Sequence, residues 1–267
     1  MGSDAQSPQP AAASDARPRS VQPGQDFAID WVEIPSGLLV QGTPLEDVDA
    51  IAAAHADIGV ERSWIAGEAP RHELTLPAFA IARTPVTVEQ WSRFAEEVGS
   101  PPPPRPHGPN HPIDGIRWEQ ANYFCTWLAD KYRWRVRLPT ESEWERAARG
   151  GDAREYPWGD RYEPGRGNLA DLRLRKTTPV GSFPGGASPF GVLDLAGNVD
   201  EWTATLYAPY PGAPPRPPVV NTLGWDPHVT RGGGFIHNRD LARCARRHGT
   251  FGSYRAVGFR LVLDGAG

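Results

Sequence analysis

The helical signal in this 267-residue chain stops at Gly150, and the sequence beyond it is crowded with turn formers. Pro157-Trp158-Gly159-Asp160, Pro184-Gly185-Gly186 and the run from Pro211 to Pro218 each break regular structure. With 29 Gly and 29 Pro in the chain, a helical bundle is excluded. Short strands joined by long ordered loops are expected instead, held by something other than helix packing. Ten Trp and 39% hydrophobic residues supply a sizeable core.

Before Gly150 the local signals are stronger. Asp30 to Gly42 reads as strand, turn, strand. Leu45 to Ile65 is predicted helical, because Leu45, Val48, Ile51 and Ala52 share a face. His72 to Ile81 alternates like a half-buried pair of strands. Thr87-Val88-Glu89-Gln90 and Thr140-Glu141-Ser142-Glu143 are capping boxes, with Gly99 and Gly150 placed to end their helices. Between them Trp118, Ala121, Cys125, Leu128 and Tyr132 step by three and four along one buried face, which puts Cys125 in the core.

Several function classes are disfavoured at once. A net charge of −4 gives no general pull toward nucleic acid or anionic lipid, and no apolar run reaches membrane-spanning length. The first 25 residues are poor in packing side chains and carry no apolar secretory core, so a disordered tail is expected. Two cysteines make no disulfide framework, and a cytoplasmic location follows as the default. The sequence has no zincin motif, no Gly-x-Ser-x-Gly elbow and no phosphate loop. Gly232-Gly233-Gly234 reads as a tight backbone turn.

A series of short words runs through the folded region in fixed order: Glu68-Ala69-Pro70-Arg71-His72, Thr84-Pro85-Val86-Thr87, Arg137-Leu138-Pro139-Thr140-Glu141, Tyr156-Pro157-Trp158-Gly159-Asp160, Asn168-Leu169-Ala170-Asp171 and Thr178-Pro179-Val180-Gly181-Ser182. Gly197-Asn198-Val199-Asp200-Glu201-Trp202, Arg231-Gly232-Gly233-Gly234-Phe235, Arg243-Cys244-Ala245-Arg246-Arg247 and Gly258-Phe259-Arg260-Leu261-Val262 close the series. In that order they resemble the formylglycine-generating-enzyme, or sulfatase-modifying-factor, family. The resemblance implies an α+β fold, a variant of the C-type lectin fold with little regular secondary structure, as a single domain over 26–267.

It also implies structural calcium. The ligands would be the Asp194 side chain, the Gly197 and Val199 carbonyls and Glu201, with a second site at Asn168 and the Leu169 carbonyl; hard oxygens on a curled loop suit that ion. The family's oxidases hold copper between two cysteines in the interval after the Gly-Gly word. Here that interval, Ile236 to Arg243, contains none, so no copper and no copper-dependent formylglycine formation are expected. A non-haem iron site from His237, Asp240 and His248 is the alternative. Hercynine sulfoxide synthases share the domain but draw their iron-binding histidines from an extra helical domain, which nothing in the first 66 residues supplies.

What remains is a surface. The segment Gly234 to Ala256 is expected to form an exposed rim carrying Phe235, His237, Asn238, Arg239, Arg247, His248, Phe251, Tyr254 and Arg255, side chains that favour binding. Only Asp240 offsets its arginines, which points to a peptide, protein or small acidic ligand; Arg243 and Arg246, inside a framework word, are expected to pair internally with core carboxylates such as Glu201. This end also resembles the variable proteins of diversity-generating retroelements, whose adenine-directed variation in codons ending in C cannot produce Lys, Gln, Glu, Met or Trp. None of those occurs from Gly234 to Ala256. The sequence therefore favours a calcium-stabilised lectin-like binding protein, with a metal-dependent oxidoreductase of the same family as the alternative.

Overall fold

The computed structural model describes residues 27–101, 107–214, 227–249 and 255–264. Strand β1 (Trp31–Ile34) pairs antiparallel with β4 (Phe79–Ala82), which is also bonded to β10 (Val262–Leu263) near the other end of the chain. With β5 (Val136–Arg137) they form a sheet in the order β1-β4-β10-β5. The second sheet is the pair β2 (Gly37–Gln41) and β3 (His72–Leu76). A third sheet, in the order β8-β7-β6-β9, joins β6 (Asp200–Leu206), β7 (His228–Arg231), β8 (Arg247–Gly249) and β9 (Val257–Phe259). β9 runs parallel to β6 there, and the other pairings are antiparallel.

Two of the sequence readings shift. The two strands read over His72 to Ile81 exist, but they belong to different sheets, and β4 is buried on both faces because it is a central strand. Leu45 to Ile65 is not one helix. It breaks into α1 (Val48–Ala54), α2 (Arg62–Ile65) and flanking 3-10 turns, ending the first run at His55 and turning at Gly59, whose φ is +77°. Periodicity survived the break because both pieces pack Val48, Ala52, Val60 and Ile65 into one small cluster.

Both capping boxes form. Helix α3 (Val88–Val98) starts at Thr87 and ends at Gly99; α5 (Glu141–Arg149) starts at Thr140, whose backbone N–H donates to Glu143 Oε2 at 2.8 Å, and ends at Gly150. Helix α4 (Trp118–Tyr132) buries Ala121, Phe124, Cys125 and Leu128 against α3 in an aromatic core with Trp91, Phe94 and Phe259. Cys125 lies in that core and Cys244 in a separate cluster around Trp144, both as free thiols; burial pushes both thiols up, Cys244 to about 12. Neither is a ready nucleophile.

Helix α5 contradicts the usual rule for an interior helix. Glu141, Glu143, Glu145, Arg146 and Arg149 are all buried on it. They can be, because strands β7 and β8 deliver matching charges: Arg231 Nη2 donates to Glu141 (2.7 Å) and Glu145 (2.8 Å), and Arg247 donates to both Glu141 oxygens (2.5 and 2.9 Å). Burial pushes the Glu145 carboxyl up, but Arg231 and Arg149 outweigh it and hold it below its ordinary value. This ion network fastens the turn-rich half of the chain to the helical half. Among the described residues no helix is long and apolar enough to cross a membrane.

Candidate functional site

Two glycines with positive φ, Gly232 (+93°) and Gly233 (+68°), turn the chain off the end of β7. A Cβ on Gly233 would sit 2.8 Å from Leu241 Cβ, so this turn packs directly against the segment that follows. That segment loops through Phe235 to Arg246 before returning as β8, and it faces the broken helical region around Gly59. Between them lies a cleft of about 670 Å³. Ile58, Val60, Ser63 and Trp64 form one wall; Ile236, His237, Asn238, Asp240, Leu241 and His248 line the other, with Tyr207, Arg246 and Arg247 beside them.

Two imidazoles are fixed inside it. His248 Nε2 bonds Asp200 Oδ2 at 2.6 Å, and Asp200 itself is fully buried with its Oδ1 accepting from the Gly233 N–H at 3.2 Å. Burial raises the Asp200 carboxyl, but the His248 contact outweighs it, so Asp200 is held ionised. His237 Nδ1 accepts from the Gly234 N–H at 2.9 Å, and burial pushes this imidazole below its ordinary value. The two rings stand nearly perpendicular with centroids 6.1 Å apart.

The expected binding residues divide here. His237, Asn238 and His248 line the cleft as expected. Phe235 is buried, and Arg255 stands exposed above its ring. Arg239 pairs at the surface with Asp57. Arg247 is corrected: although it borders the cleft, its guanidinium is buried against Glu141 and is not an open anion site. Arg243 and Arg246 do pair internally, but with Glu68, Glu155 and Asp240; Glu201 belongs to Arg260. Phe251 and Tyr254 lie outside the described residues, as do the N-terminal tail and most of the proline-rich stretches. Sequence reasoning missed Ile58, Val60, Trp64 and Tyr207, whose place in the cleft is purely tertiary; the conspicuous Trp64, 44% exposed, was the available signal.

The iron set is not assembled. Asp240 is turned to Arg246 and His248 Nε2 to Asp200, and no group of three or more metal-ligating side chains comes together among the described residues. In the first calcium set one carboxylate is already engaged by protein partners. Both Glu201 oxygens are taken by Arg260, at 2.5 and 2.6 Å, and Trp144 Nε1 adds a third bond at 2.8 Å. Asp194, pushed up to about 6 by burial, accepts from the Gly181 N–H at 2.7 Å, and the Gly197 N–H donates to the Gly232 carbonyl at 2.9 Å. The second set fits better. Asn168 is buried and its Oδ1 accepts no hydrogen bond among the described residues, the condition a cation would relieve; the Leu169 carbonyl beside it accepts only the Leu172 N–H at 3.2 Å.

The fold and these framework pairs define a formylglycine-generating-enzyme-like protein of the C-type lectin class. The chain belongs to the family of the sulfatase-modifying factor enzyme 1-like domain, whose model matches residues 19–265. It is 34% identical over 232 residues to the serine/threonine-protein kinase Pkn1 of Chlamydia trachomatis serovar L2, covering 74% of this chain and 35% of that one. It is 29% identical over 281 residues to the hercynine oxygenase of Mycolicibacterium smegmatis, covering 87% and 61%. The chain thus spans less than two thirds of the length of these relatives. Among solved structures, PvdO from Pseudomonas aeruginosa superposes with a TM-score of 0.70 at 26% identity, over 91% of this chain and 98% of that one. Treponema denticola variable protein 1 gives 0.69 at 20% identity, over 90% and 97%, a likeness of fold.

Proposed function

We propose that this chain is a ligand-binding member of the family, and that the cleft between Trp64 and the Ile236–His248 segment is where the ligand sits. The observation that carries the reading is the cleft itself: about 670 Å³, with a mostly apolar wall facing two oriented imidazoles and the Asn238 amide. Such a site takes a small organic molecule or a peptide side chain with an apolar body and a polar end. A preference for an acidic group draws little support from the cleft, because Arg243, Arg246 and Arg247 are already neutralised by carboxylates and Arg239 is paired with Asp57. Structural calcium, in this reading, belongs at Asn168 and the Leu169 carbonyl, pinning the loop that packs beneath Ala196 and Gly197.

Diversification of the whole Gly234–Ala256 segment draws little support from its packing. Arg243, Arg246, Arg247 and His248 each close an internal pair, so random replacement there would break the scaffold along with the ligand site. Ile236, Asn238 and Leu241 have no such duty in the bonds described.

A fragment library of aromatic and peptide-like compounds, screened by equilibrium binding, tests the reading. Trp64→Ala should weaken the compounds that bind by at least about tenfold, the loss expected for one aromatic anchor, without a change in melting temperature beyond a few degrees. Compounds that bind equally well to the Ala variant would sink this placement.

A further inference from the structure

The two imidazoles are held in opposite hydrogen-bonding states. Asp200 accepts from His248 Nε2, so the neutral ring carries its proton there and its lone pair on Nδ1. The Gly234 N–H donates to His237 Nδ1, so that ring carries its proton on Nε2. One ring therefore presents an acceptor and the other a donor, with ring centroids 6.1 Å apart, in a cleft whose opposite wall is mostly apolar.

We propose that this pair is a proton-transfer site acting on a carbonyl compound with an apolar, preferably aromatic, substituent. His248 Nδ1 takes a proton from the carbon next to the carbonyl, and His237 Nε2–H bonds the carbonyl oxygen. In that step the C–H bond breaks and its electron pair becomes the carbon–carbon double bond of an enolate. The carbonyl π pair moves to oxygen, and an N–H bond forms at His248. Once the proton on His248 has exchanged with solvent, its delivery to carbon gives the exchanged ligand, and protonation of the oxygen instead gives the enol, with no oxidant or reductant consumed.

The surroundings suit each role. Asp200, buried and ionised, faces the imidazolium that forms and fixes the ring orientation, which makes it a positioning residue. His237 stays neutral because burial opposes its charging, so it serves as a hydrogen-bond donor and leaves the acid–base work to His248. The nearby charges of Asp240 and Arg246 are paired with one another at 3.4 Å. His248 is one-third exposed, which leaves it accessible from the cleft. The inference rests on the cleft being the ligand site, and the experiment separates the two claims.

The probe is phenylpyruvate in deuterium oxide, with loss of its benzylic hydrogens followed by proton NMR. The protein should speed exchange by about 10²-fold over free imidazole at equal concentration, the lower end of general acid–base catalysis. His248→Gln should abolish the acceleration. Asp200→Asn should cut the turnover rate at least tenfold with KM little changed and shift the pH profile, a combination that loss of structure alone does not give. Exchange no faster than imidazole, or persisting in His248→Gln, overturns the proposal. Should the Asp200 variant not fold, nitrogen-15 histidine spectra of the unaltered protein decide: a protonated Nδ1 on neutral His248 overturns it equally. Phenylpyruvate that shifts the histidine resonances without exchanging overturns proton transfer and leaves the binding reading intact. If it neither binds nor exchanges, the inference falls and the fragment screen alone judges the cleft.

Discussion

Arg260→Met should cost about 3–5 kcal/mol, the penalty for leaving one charge of a buried pair without its partner. That is a large share of the about 5–15 kcal/mol by which a domain is usually stable. Arg260 is fully buried and makes five hydrogen bonds: two to Glu201 and three to the backbone carbonyls of Ala82, Arg83 and Leu193. One side chain thus joins the end of β4, the loop before β6 and β6 itself. Methionine fills much of the space and satisfies none of those acceptors. The double variant Glu201→Gln with Arg260→Met should recover part of the loss, because the orphaned charge is gone while the carbonyls remain unpaired. Urea unfolding measures both; a single variant within about 1 kcal/mol of the parent would show that the pair does not hold these elements together.

The second large effect is expected at Gly197. Its φ is +86°, and a Cβ there would lie 2.6, 2.7 and 2.9 Å from the O, C and N atoms of Asn168. Those are backbone atoms, which cannot rotate away. Gly167 meets the same loop from below, its own Cβ position being 1.9 Å from the Ala196 carbonyl oxygen. The two glycines let two loops stack with no side chain between them, sealed by the Asn198 N–H donating to the Asn168 carbonyl at 2.8 Å. Gly197→Ala should therefore lose about 2–6 kcal/mol, combining about 1–3 for the left-handed backbone with about 1–3 for overpacking. Gly59→Ala is the control. It shares a positive φ but has nothing within 4 Å of its Cβ position, so it should lose only the smaller, conformational part. Equal melting temperatures for the two variants would contradict the loop-stacking account.

Much of the fold was legible because its signals are local. Thr87 and Thr140 announced α3 and α5, and the ordered words around Trp202, Arg231 and Arg260 carried the lectin-like architecture. What those words do physically was not legible. The reading that gave Glu201 to calcium did not foresee its partner Arg260, which lies 59 residues away, because nothing in the spacing of a loop reveals a distant guanidinium. Arg247 was misplaced for the same reason: Glu141, which neutralises it, is 106 residues off. The site shows the complementary pattern. His237 and His248 stood out as polar residues in a glycine-bounded segment, whereas the wall they face is made by Ile58, Val60 and Trp64, residues whose periodicity advertised a continuous helix. The turn at Gly59 that breaks it also carries Ile58 and Val60 to the cleft.

The measurement that tests the central claim most directly is a titration of ring-labelled histidine resonances with any ligand the screen yields. The account predicts that His237 and His248 shift together and saturably while His72 and His111, outside the cleft, stay in place. Ligand binding that leaves both cleft histidines unmoved would contradict it and place the functional surface elsewhere on the molecule.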